Sequence, residues 1–339
     1  MATFKIFKLH FTAPLHISDS HEESDVSMKT IHSDTLQAAL MSCLAKTGQT
    51  IPENGDLGFV TSSLFPYYQE KSDSSPVYFL PMPLMPINLT DATLGKKIKS
   101  LQWVEVTLFE KLLAGYDLSV DINANQDIIQ DSYLAQTSLP ADINGSKEFI
   151  RSKVAERVSI EDRTGRSDAR PYYMDRILFK DYAGLYFLAT GKTDLLEKAI
   201  YLLSQEGIGS NRHVGFGFFD YTVEDVSLDL PSGANHLLSL SLFIPESKQQ
   251  LQQMLASEDV AYDFIRRGGW ITTYPYSTLR KNAIYGFLPG SVFSFTTNAS
   301  VPMCLGKIVD LRPTLGDATP SHPIWRNGKS IMIPIKLKQ

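Results

Sequence analysis

The 339-residue sequence predicts an α+β fold made of two ferredoxin-like domains, residues 1–230 and 231–339. In the first range, apolar patterns follow the order strand, helix, several strands, helix, strand, which is the order of a split βαβ unit. After a turn-rich linker at 229–235, a strand, a helix and further strands begin again. A chain of this length commonly forms two domains, and its 43% apolar content is enough for a sizeable core.

The first domain opens with a strand and an amphipathic helix. Residues 3–11 are rich in aromatic and β-branched residues, as strands are. The helix is predicted from apolar residues at helical spacing, namely Leu36, Ala39, Leu40, Cys43 and Leu44. Cys43 is therefore expected to be a buried thiol. Asp34 and Gln37 have the spacing of a capping box at the helix start, and Gly48 marks its end.

Charge changes sharply in the middle of the first domain. Residues 112–146 contain five Asp and no Lys or Arg, and we interpret them as an acidic surface insertion. Residues 151–176 contain seven Lys or Arg against five Asp or Glu, with an exposed turn expected at 162–168. This segment is predicted to be a basic hairpin.

A second helix follows, and either Thr193 or Asp194 can cap its start. Its apolar face comprises Leu195, Leu196, Ala199, Ile200, Leu202 and Leu203. Gly207 ends it, and the aromatic run at 216–223 predicts the closing strand of the unit.

The second domain begins with a strand pattern over 236–245. Residues 247–266 predict a helix, because apolar residues stand at Leu251, Met254, Leu255 and Phe264.

Composition excludes several classes of protein. The net charge of −5 argues against a protein that coats duplex nucleic acid, although it leaves room for a local basic groove. Two distant cysteines without a CxxC pair are typical of an intracellular chain without structural zinc. The N-terminus lacks the apolar core of a signal peptide, and no apolar run is long enough to span a membrane. We therefore expect a cytoplasmic protein with no cofactor, no metal and no membrane contact.

The stretch EGIGSNRHVGFGFFDY at 206–221 is the first candidate site. It follows a helix and not a strand, so the dinucleotide-binding fingerprint does not apply. A glycine-rich loop of exposed N–H groups with one guanidinium suits a sugar–phosphate backbone, although a helix stop leading into a hairpin remains an alternative. The candidate RNA-binding residues are Gly207, Gly209, Asn211, Arg212, His213, Gly215 and Gly217.

Two further segments combine basic and aromatic residues, a combination that suits single-stranded RNA through phosphate contact and base stacking. The first carries Arg157, Arg163, Arg166 and Arg170 next to Tyr172 and Tyr173. The second carries Arg266, Arg267, Arg280 and Lys281, interleaved with Trp270, Tyr274, Tyr276 and Tyr285. The alternatives are a solvated hairpin for the first segment and core aromatics for the second.

His32, Ser33 and Asp34 stand together at a loop-to-helix junction. Consecutive residues there cannot form a hydrolase triad, because they cannot all point at one another. Ser33 and Asp34 suit a helix cap. The alternative is a phosphate ligand at the helix N-terminus, with His32 as a donor.

These motifs together resemble one family. HSDTLQAAL, ERVSIEDRTGRS, GIGSNRHVGFGFF, the block TLRKNAIYGFLPGSVF and HPIWRNGKSIMIPI resemble the RAMP superfamily. More closely, they resemble the family of the fourth-numbered Csm subunit of type III-A CRISPR effector complexes. The resemblance spans most of the chain.

The resemblance implies RRM-like RAMP domains and a non-catalytic role in antiviral defence. Such a subunit binds the 5′ handle of the CRISPR RNA (crRNA) and joins the large polymerase-like subunit to the backbone RAMP subunit, reaching target RNA only indirectly. The glycine-rich loop matches the handle-binding loop, residues 32–34 match the first-helix motif, and 157–176 match a thumb-like hairpin.

The sequence departs from the family pattern at Ser210, His213 and Phe218. A competing hypothesis also remains, since RAMP relatives include metal-independent endoribonucleases that process repeat RNA with a histidine as acid or base. His16, His32 and His213 are the candidates for that role.

Overall fold

The computed structural model describes residues 2–18, 26–85, 92–117, 127–137, 139–140, 143, 148–159, 170–295, 303–316 and 319–337. The helices are α1 (Ser33–Lys46), α2 (Ala92–Ser100), α3 (Val106–Leu113), α4 (Thr193–Glu206) and α5 (Lys248–Met254). None of the helices in these ranges combines the length and apolar character that a membrane crossing requires.

The strands up to the end of the main sheet are β1 (Ala2–Phe11), β2 (Phe59–Thr61), β3 (Phe65–Tyr68), β4 (Val77–Pro81), β5 (Trp103–Glu105), β6 (Ile128–Ile129), β7 (Tyr133–Leu134), β8 (Ile150–Ser152), β9 (Ala155–Ser159), β10 (Arg170–Met174), β11 (Ile177–Phe179), β12 (Ala183–Gly191) and β13 (Phe219–Leu228). The later strands are β14 (His236–Ser239), β15 (Phe264–Arg267), β16 (Ile284–Phe287), β17 (Val292–Ser294), β18 (Cys304–Leu305), β19 (Ile308–Asp310), β20 (Trp325–Asn327) and β21 (Ser330–Ile335).

One large mixed sheet dominates the first part of the chain. Its strand order is β13-β1-β12-β3-β4-β5-β7-β6, and β2 pairs with β12 beside this path. The β5–β7 pair is parallel, and β1 runs antiparallel to both β12 and β13. The β1–β13 register extends from Ala2 opposite Leu228 to Phe11 opposite Phe219, so the first and last strands of this part lie side by side.

The two faces of β1 belong to two different cores, because successive side chains of a strand point to opposite faces. Phe7 and Leu9 pack with residues of α1 and α4 in one cluster. Phe4 and Ile6 pack with residues of the C-terminal strands, such as Ile331, in another. The C-terminal strands, together with α2 and α3, therefore cover the face of the main sheet that α1 and α4 leave open.

The C-terminal part is built around a four-stranded sheet in the order β17-β14-β21-β18. The hairpins β15–β16 and β19–β20 form separate two-stranded sheets beside it. A small core packs behind the four strands and consists of Leu237, Phe243, Met254, Phe293 and Met332.

The periodic elements of the first domain are confirmed. The first strand and both amphipathic helices form, and Cys43 is buried. Gly207 ends α4 with a left-handed φ of 76°.

The prediction of a helix over 247–266 is wrong beyond the first two turns. Only Lys248–Met254 are helical, with Ser247 accepting a hydrogen bond from the Gln250 N–H as the cap. Phe264–Arg267 instead pair with Ile284–Phe287 as a strand. One turn after Met254 and Leu255 the helical stripe would need Glu258 and Asp259, which are charged, and strand pairing supplies the backbone partners of Phe264–Arg267.

The surface interpretation of 112–146 is also corrected in the described residues. Ile129, Tyr133 and Leu134 are at most 5% exposed and extend the far end of the main sheet. The aspartates of this stretch alternate with short apolar pairs, and these pairs pack inward.

Candidate nucleic-acid interface

The glycine-rich loop is closed at its base by two glycines that no other residue can replace without strain. Gly217 has φ +72°, and a Cβ there would lie 1.9 Å from the Ile208 carbonyl oxygen. Gly207 has φ +76°, and a Cβ there would lie 2.7 Å from the Phe216 carbonyl oxygen. The Ile208 N–H donates to the Gly217 carbonyl at 2.9 Å, so the two ends of the loop are joined directly.

The expected display of backbone N–H groups is wrong for several loop positions. The Ser210 N–H donates to the His16 carbonyl at 2.9 Å, and the Gly217 N–H donates to the Pro14 carbonyl at 2.8 Å. The Gly215 N–H donates to the Arg212 carbonyl at 3.0 Å. The Ser210 and Gly217 donors hold the loop against the segment after β1, whereas the Gly215 bond lies within the loop. The glycines thus shape the loop, and the groups that it exposes are the side chains at its tip.

The tip of the loop is a single 3₁₀ turn, Arg212–Val214, between Asn211 at φ 60° and Gly215 at φ 89°. Arg212, His213 and Val214 are all exposed. The Arg212 guanidinium lies 3.7 Å from the Glu206 carboxylate, which also accepts from Lys46 Nζ at 2.5 Å. This weak, exposed ion pair orients the guanidinium but leaves most of its donors at the surface.

The basic hairpin docks onto this loop. Strands β9 and β10 pair with Arg157 opposite Tyr172, so the two side chains share one face of the hairpin. The Arg157 guanidinium lies 5.3 Å from the centroid of the Phe216 ring in the loop, within the range of a cation–π contact. Asn211 Nδ2 also approaches Met174 Sδ, at 3.8 Å.

The hairpin presents aromatic faces to solvent, since Tyr172 is 40% and Tyr173 60% exposed. Arg163 and Arg166 lie outside the described residues, as does the side chain of Arg170. The RNA contacts expected of these three arginines stay predictions.

A buried hydrogen-bond cluster fixes the base of the hairpin beside the loop. The Asp175 carboxylate accepts from the Ser27 N–H at 3.0 Å and from Ser152 Oγ at 2.5 Å. His16 is 2% exposed, and its Nδ1 lies 2.9 Å from the Asp175 carbonyl oxygen. His16 thus has a structural position, which contradicts the expectation that it could act on RNA as acid or base. Sequence reasoning missed Asp175 and Phe216, since neither stands out from its charged or aromatic neighbours.

The first-helix motif, residues 32–34, was expected either to cap α1 or to bind a phosphate, and the structure gives Ser33 and Asp34 other partners. Ser33 and Asp34 are 2% and 0% exposed, which contradicts the direct RNA contact predicted for them. Ser33 Oγ accepts from the Leu242 N–H at 2.9 Å, and Gln37 Nε2 donates to Thr61 Oγ1 at 3.2 Å. The expected capping box is therefore wrong, and the side chain of the N-cap residue, His32, makes no capping hydrogen bond. His32 is half-buried, and the Ser33 N–H donates to Ser63 Oγ at 3.0 Å.

Asp34 binds two arginines from the C-terminal part of the chain. Its Oδ2 accepts from Arg267 Nε at 2.9 Å and from Arg326 Nη1 at 2.5 Å. Burial on its own would raise the pKa of Asp34, but the charges of Arg326 and Arg267 hold that pKa well below its usual value. Arg326 was not among the predicted residues, since it stands with Lys329 before the apolar strand and nothing in the local sequence separates the two cations.

The predicted pair Arg280 and Lys281 lies at the same place, and the two side chains have different surroundings. The Arg280 guanidinium is exposed and lies 4.8 Å from the Trp270 ring centroid. Lys281 is half-buried, and burial together with the charges of Arg326 and Arg267 lowers its pKa to about 8, against the opposing attraction of Asp34. The fold thus brings Asp34 of the first-helix motif close to Lys281 of the C-terminal basic segment, although the two are far apart in the sequence.

The described residues contain no group of three or more His, Cys, Asp or Glu side chains that could hold a metal ion.

Comparison of the fold with solved structures defines the class of protein. The chain is similar over 99% of its length to the whole of a chain in the crystal structure of a Csm3–Csm4 subcomplex from a type III-A CRISPR-Cas interference complex, with a TM-score of 0.62 and 17% identity. It is similar over its full length to a chain of a Csm1–Csm4 cassette solved with cA4, with a TM-score of 0.58 and 18% identity. The fold is that of a subunit of type III CRISPR complexes.

The sequence comparisons match the chain to Csm4 proteins. Residues 232–335 match the family described as the CRISPR Csm4 C-terminal domain. The chain is 27% identical over 342 aligned residues to the CRISPR system Cms protein Csm4 of Mycobacterium tuberculosis, covering 98% of this chain and 97% of that protein. It is 29% identical over 187 residues to the protein of the same name from Streptococcus thermophilus, covering 53% and 58%. The chain is similar over nearly its whole length to a Csm4 protein of a CRISPR system, and the resemblance seen in the motifs is confirmed.

Proposed function

We propose that this chain is the non-catalytic, RNA-binding subunit of a type III-A interference complex that binds the 5′ handle of crRNA. The observation that carries the proposal is the docking of the β9–β10 hairpin onto the glycine-rich loop through Arg157 and Phe216. This contact brings Arg157 and Tyr172 of the hairpin to the same junction as Arg212 and His213 of the loop tip.

The chemistry of this junction suits an unpaired RNA strand. Guanidinium groups bind phosphates in a planar, bidentate manner, and exposed tyrosine rings stack on bases of any sequence. The body of the chain is acidic, with a net charge of −5, so it attracts RNA only at such a local site. We therefore expect weak, salt-sensitive binding by the isolated subunit, with partner subunits completing the groove.

We also propose that the chain bridges two protein partners in the complex, the large polymerase-like subunit and the backbone RAMP subunit. The similar solved proteins support this, since one is a Csm1–Csm4 cassette and the other a Csm3–Csm4 subcomplex. Target RNA would be reached through those partners, and such a complex works in the cytoplasm.

The topology supports two ferredoxin-like domains in this role. In the main sheet, β13-β1-β12-β3 is the neighbour order, with α1 after β1 and α4 between β12 and β13. This is the arrangement of a split βαβ unit, in which the first strand lies between the third and fourth. The second domain would be the four-stranded sheet β17-β14-β21-β18 with α5 beside it.

The test is retention of guide RNA by the assembled complex. Arg157→Ala combined with Arg212→Ala removes both guanidiniums, and we expect handle affinity to fall by at least about tenfold. Lys198→Ala is the matched control, because it removes an exposed cation from α4, away from the loop and the hairpin. Unchanged guide retention in the double variant would sink the proposal.

One observation keeps a second function open, because His213 is exposed at the loop tip next to Arg212. A metal-independent endoribonuclease would use such an imidazole to activate a 2′-hydroxyl. Labelled repeat RNA is incubated with the purified chain in the presence of a chelator. Cleavage that disappears in His213→Ala would replace the non-catalytic proposal with this one, and an intact RNA supports the first.

A further inference from the structure

Basic side chains from three separate elements converge on the start of α1. Arg267 at the end of β15 donates through Nη2 to Thr35 Oγ1 at 2.8 Å, in addition to its bonds to Asp34. Arg326 on β20 binds Asp34 and also donates to the Gly268 carbonyl at 3.3 Å. Lys281 is held beside them by its main chain, since its N–H donates to the Gly269 carbonyl at 2.8 Å.

The charges of the side chains described in this cluster do not balance. Even with Arg267 left aside, Arg326 and Lys281 bring two positive charges to the single carboxylate of Asp34. Asp34 is already engaged by Arg326 at Oδ2 and by the Thr35 N–H at Oδ1, at 2.9 Å. The ammonium of Lys281 therefore lies half-buried beside other cations, an environment that disfavours its charge.

We infer that Lys281, with Arg326 and Arg267 behind it, forms a phosphate-binding site that is separate from the loop and hairpin. Asp34 is a positioning residue there, because it holds the two guanidiniums in place and does not itself face the ligand. The phosphate belongs to the RNA backbone, and this assignment rests on the proposed function. Arg280 and Trp270 at the adjacent surface suit the continuing strand, since one supplies a cation and the other a ring.

The lowered pKa of Lys281 makes phosphate binding at this site depend on pH. The pKa of Lys281 is lowered to about 8 by burial and by Arg326 and Arg267, while Asp34 opposes them. A bound phosphate adds negative charge beside the ammonium and raises that pKa. Phosphate binding thus takes up a proton above about pH 8, and affinity falls as the pH rises beyond that value.

The first experiment uses inorganic phosphate as the probe on the full chain. The thermal midpoint is measured with phosphate and with chloride at equal ionic strength, for the native chain, Lys281→Gln, Lys281→Arg and the exposed-lysine control Lys198→Gln. We expect phosphate to raise the midpoint least in Lys281→Gln, in which only the loop and hairpin can bind the anion. At pH 9.5 the rise of the native chain falls to that of Lys281→Gln, whereas Lys281→Arg keeps its larger rise because a guanidinium stays protonated. An equal rise in Lys281→Gln, or no rise in the native chain, would overturn the site.

The second experiment separates RNA phosphate from free phosphate as the natural ligand. Fluorescence anisotropy follows binding of a labelled RNA that carries the 5′ handle, at several salt concentrations. Lys281→Gln should weaken binding by about tenfold and reduce the slope of log affinity against log salt by about one. If Lys281→Gln loses the phosphate response but keeps full RNA affinity, the assignment to RNA is wrong.

The same titration distinguishes failure of the inference from failure of the proposed function. RNA affinity that falls in Arg157→Ala with Arg212→Ala and is unchanged in Lys281→Gln rejects this site and leaves the loop–hairpin interface standing. The opposite pattern rejects the loop–hairpin interface and supports the site at Lys281.

Discussion

The guanidinium of Arg157 lies over the ring of Phe216, 5.3 Å from its centroid. Phe216 itself is 3% exposed and stands between Gly215 and Gly217 in the loop. The pair is therefore one of the contacts that hold the hairpin against the loop, together with the approach of Asn211 to Met174.

Phe216→Leu is expected to loosen the hairpin while keeping an apolar side chain in place. A cation–π contact stabilises by about 0.5–2 kcal/mol, so amide hydrogen exchange in Ala155–Ser159 should accelerate by roughly 2- to 30-fold. Phe219→Leu is the control, because Phe219 is equally buried but contacts Phe11 and lies outside the loop. Equal acceleration in both variants would mean that general loss of packing, and not the Arg157 contact, orders the hairpin.

Two glycines of the loop should respond very differently to alanine. Gly217→Ala meets the Ile208 carbonyl at 1.9 Å as well as a left-handed φ, and we expect a loss of about 3 kcal/mol or more in unfolding free energy. The Cβ of Gly215→Ala meets nothing within 4 Å. The only cost is then the left-handed backbone conformation of a non-glycine residue, which is about 1 kcal/mol of unfolding free energy. Urea denaturation of both variants measures the difference, and equal losses would contradict the closed loop base.

The periodic elements of this chain could be predicted because their signal is local. The apolar stripe of α4 and the glycine at its end specify a helix within sixteen residues, whatever surrounds it. The environment of Asp34 could not be predicted in this way. An aspartate at a helix start fits a cap in any sequence, and only the fold brings Arg267 and Arg326 to it.

The distinction between local signals and contacts made by the fold also explains which features of the candidate sites could be predicted. The arginines and tyrosines of the hairpin and the glycine-rich loop could be chosen by residue type and local spacing. Which groups face a ligand depends on the fold, because the Ser210 N–H turns inward to the His16 carbonyl and the Gly217 N–H to the Pro14 carbonyl. The second half of 247–266 was missed for a related reason, since a strand partner at 284–287 is invisible to a local pattern.

Asp34→Asn is expected to destabilise the fold by about 3–5 kcal/mol, because it leaves two guanidiniums without their carboxylate. Asp310→Asn is the matched control, since its ion pair with Arg312 at 2.6 Å is partly solvated and contributes at most about 1 kcal/mol, while the asparagine Oδ1 can still accept from the Arg312 and Ile324 N–H groups. Urea denaturation at neutral pH compares the two. Similar losses would mean that the Asp34 cluster is not a structural ion pair.

The low pKa of Asp34 also gives a pH signature. A carboxyl group with a depressed folded pKa contributes stability that is present above its ordinary value of 3.8 and is lost as the pH falls below it. The native chain should lose stability more steeply than Asp34→Asn under acid conditions. Parallel pH profiles of the two would contradict the charge assignment.

His236 on β14 predicts a second pH response, in a milder range. The side chain is 4% exposed, and neither ring nitrogen has a hydrogen-bond partner within the described residues. Burial lowers the pKa of His236 from 6.5, although Asp259 opposes this, so the folded state holds the neutral ring while the unfolded chain takes up a proton below that value. The unfolded state then binds more protons, and stability should fall as the pH drops from about 6.5 toward the folded pKa.

His236→Leu replaces the ring with an apolar side chain and should remove this fall. Denaturation midpoints are measured for both chains between pH 5 and 8, with His213→Leu as a control at an exposed histidine. The expected result is a pH-dependent difference between the native chain and His236→Leu, with no such difference for His213→Leu. A fall of the same size in His236→Leu would show that another group titrates. His236 would then hold its proton in the fold as readily as in the unfolded chain.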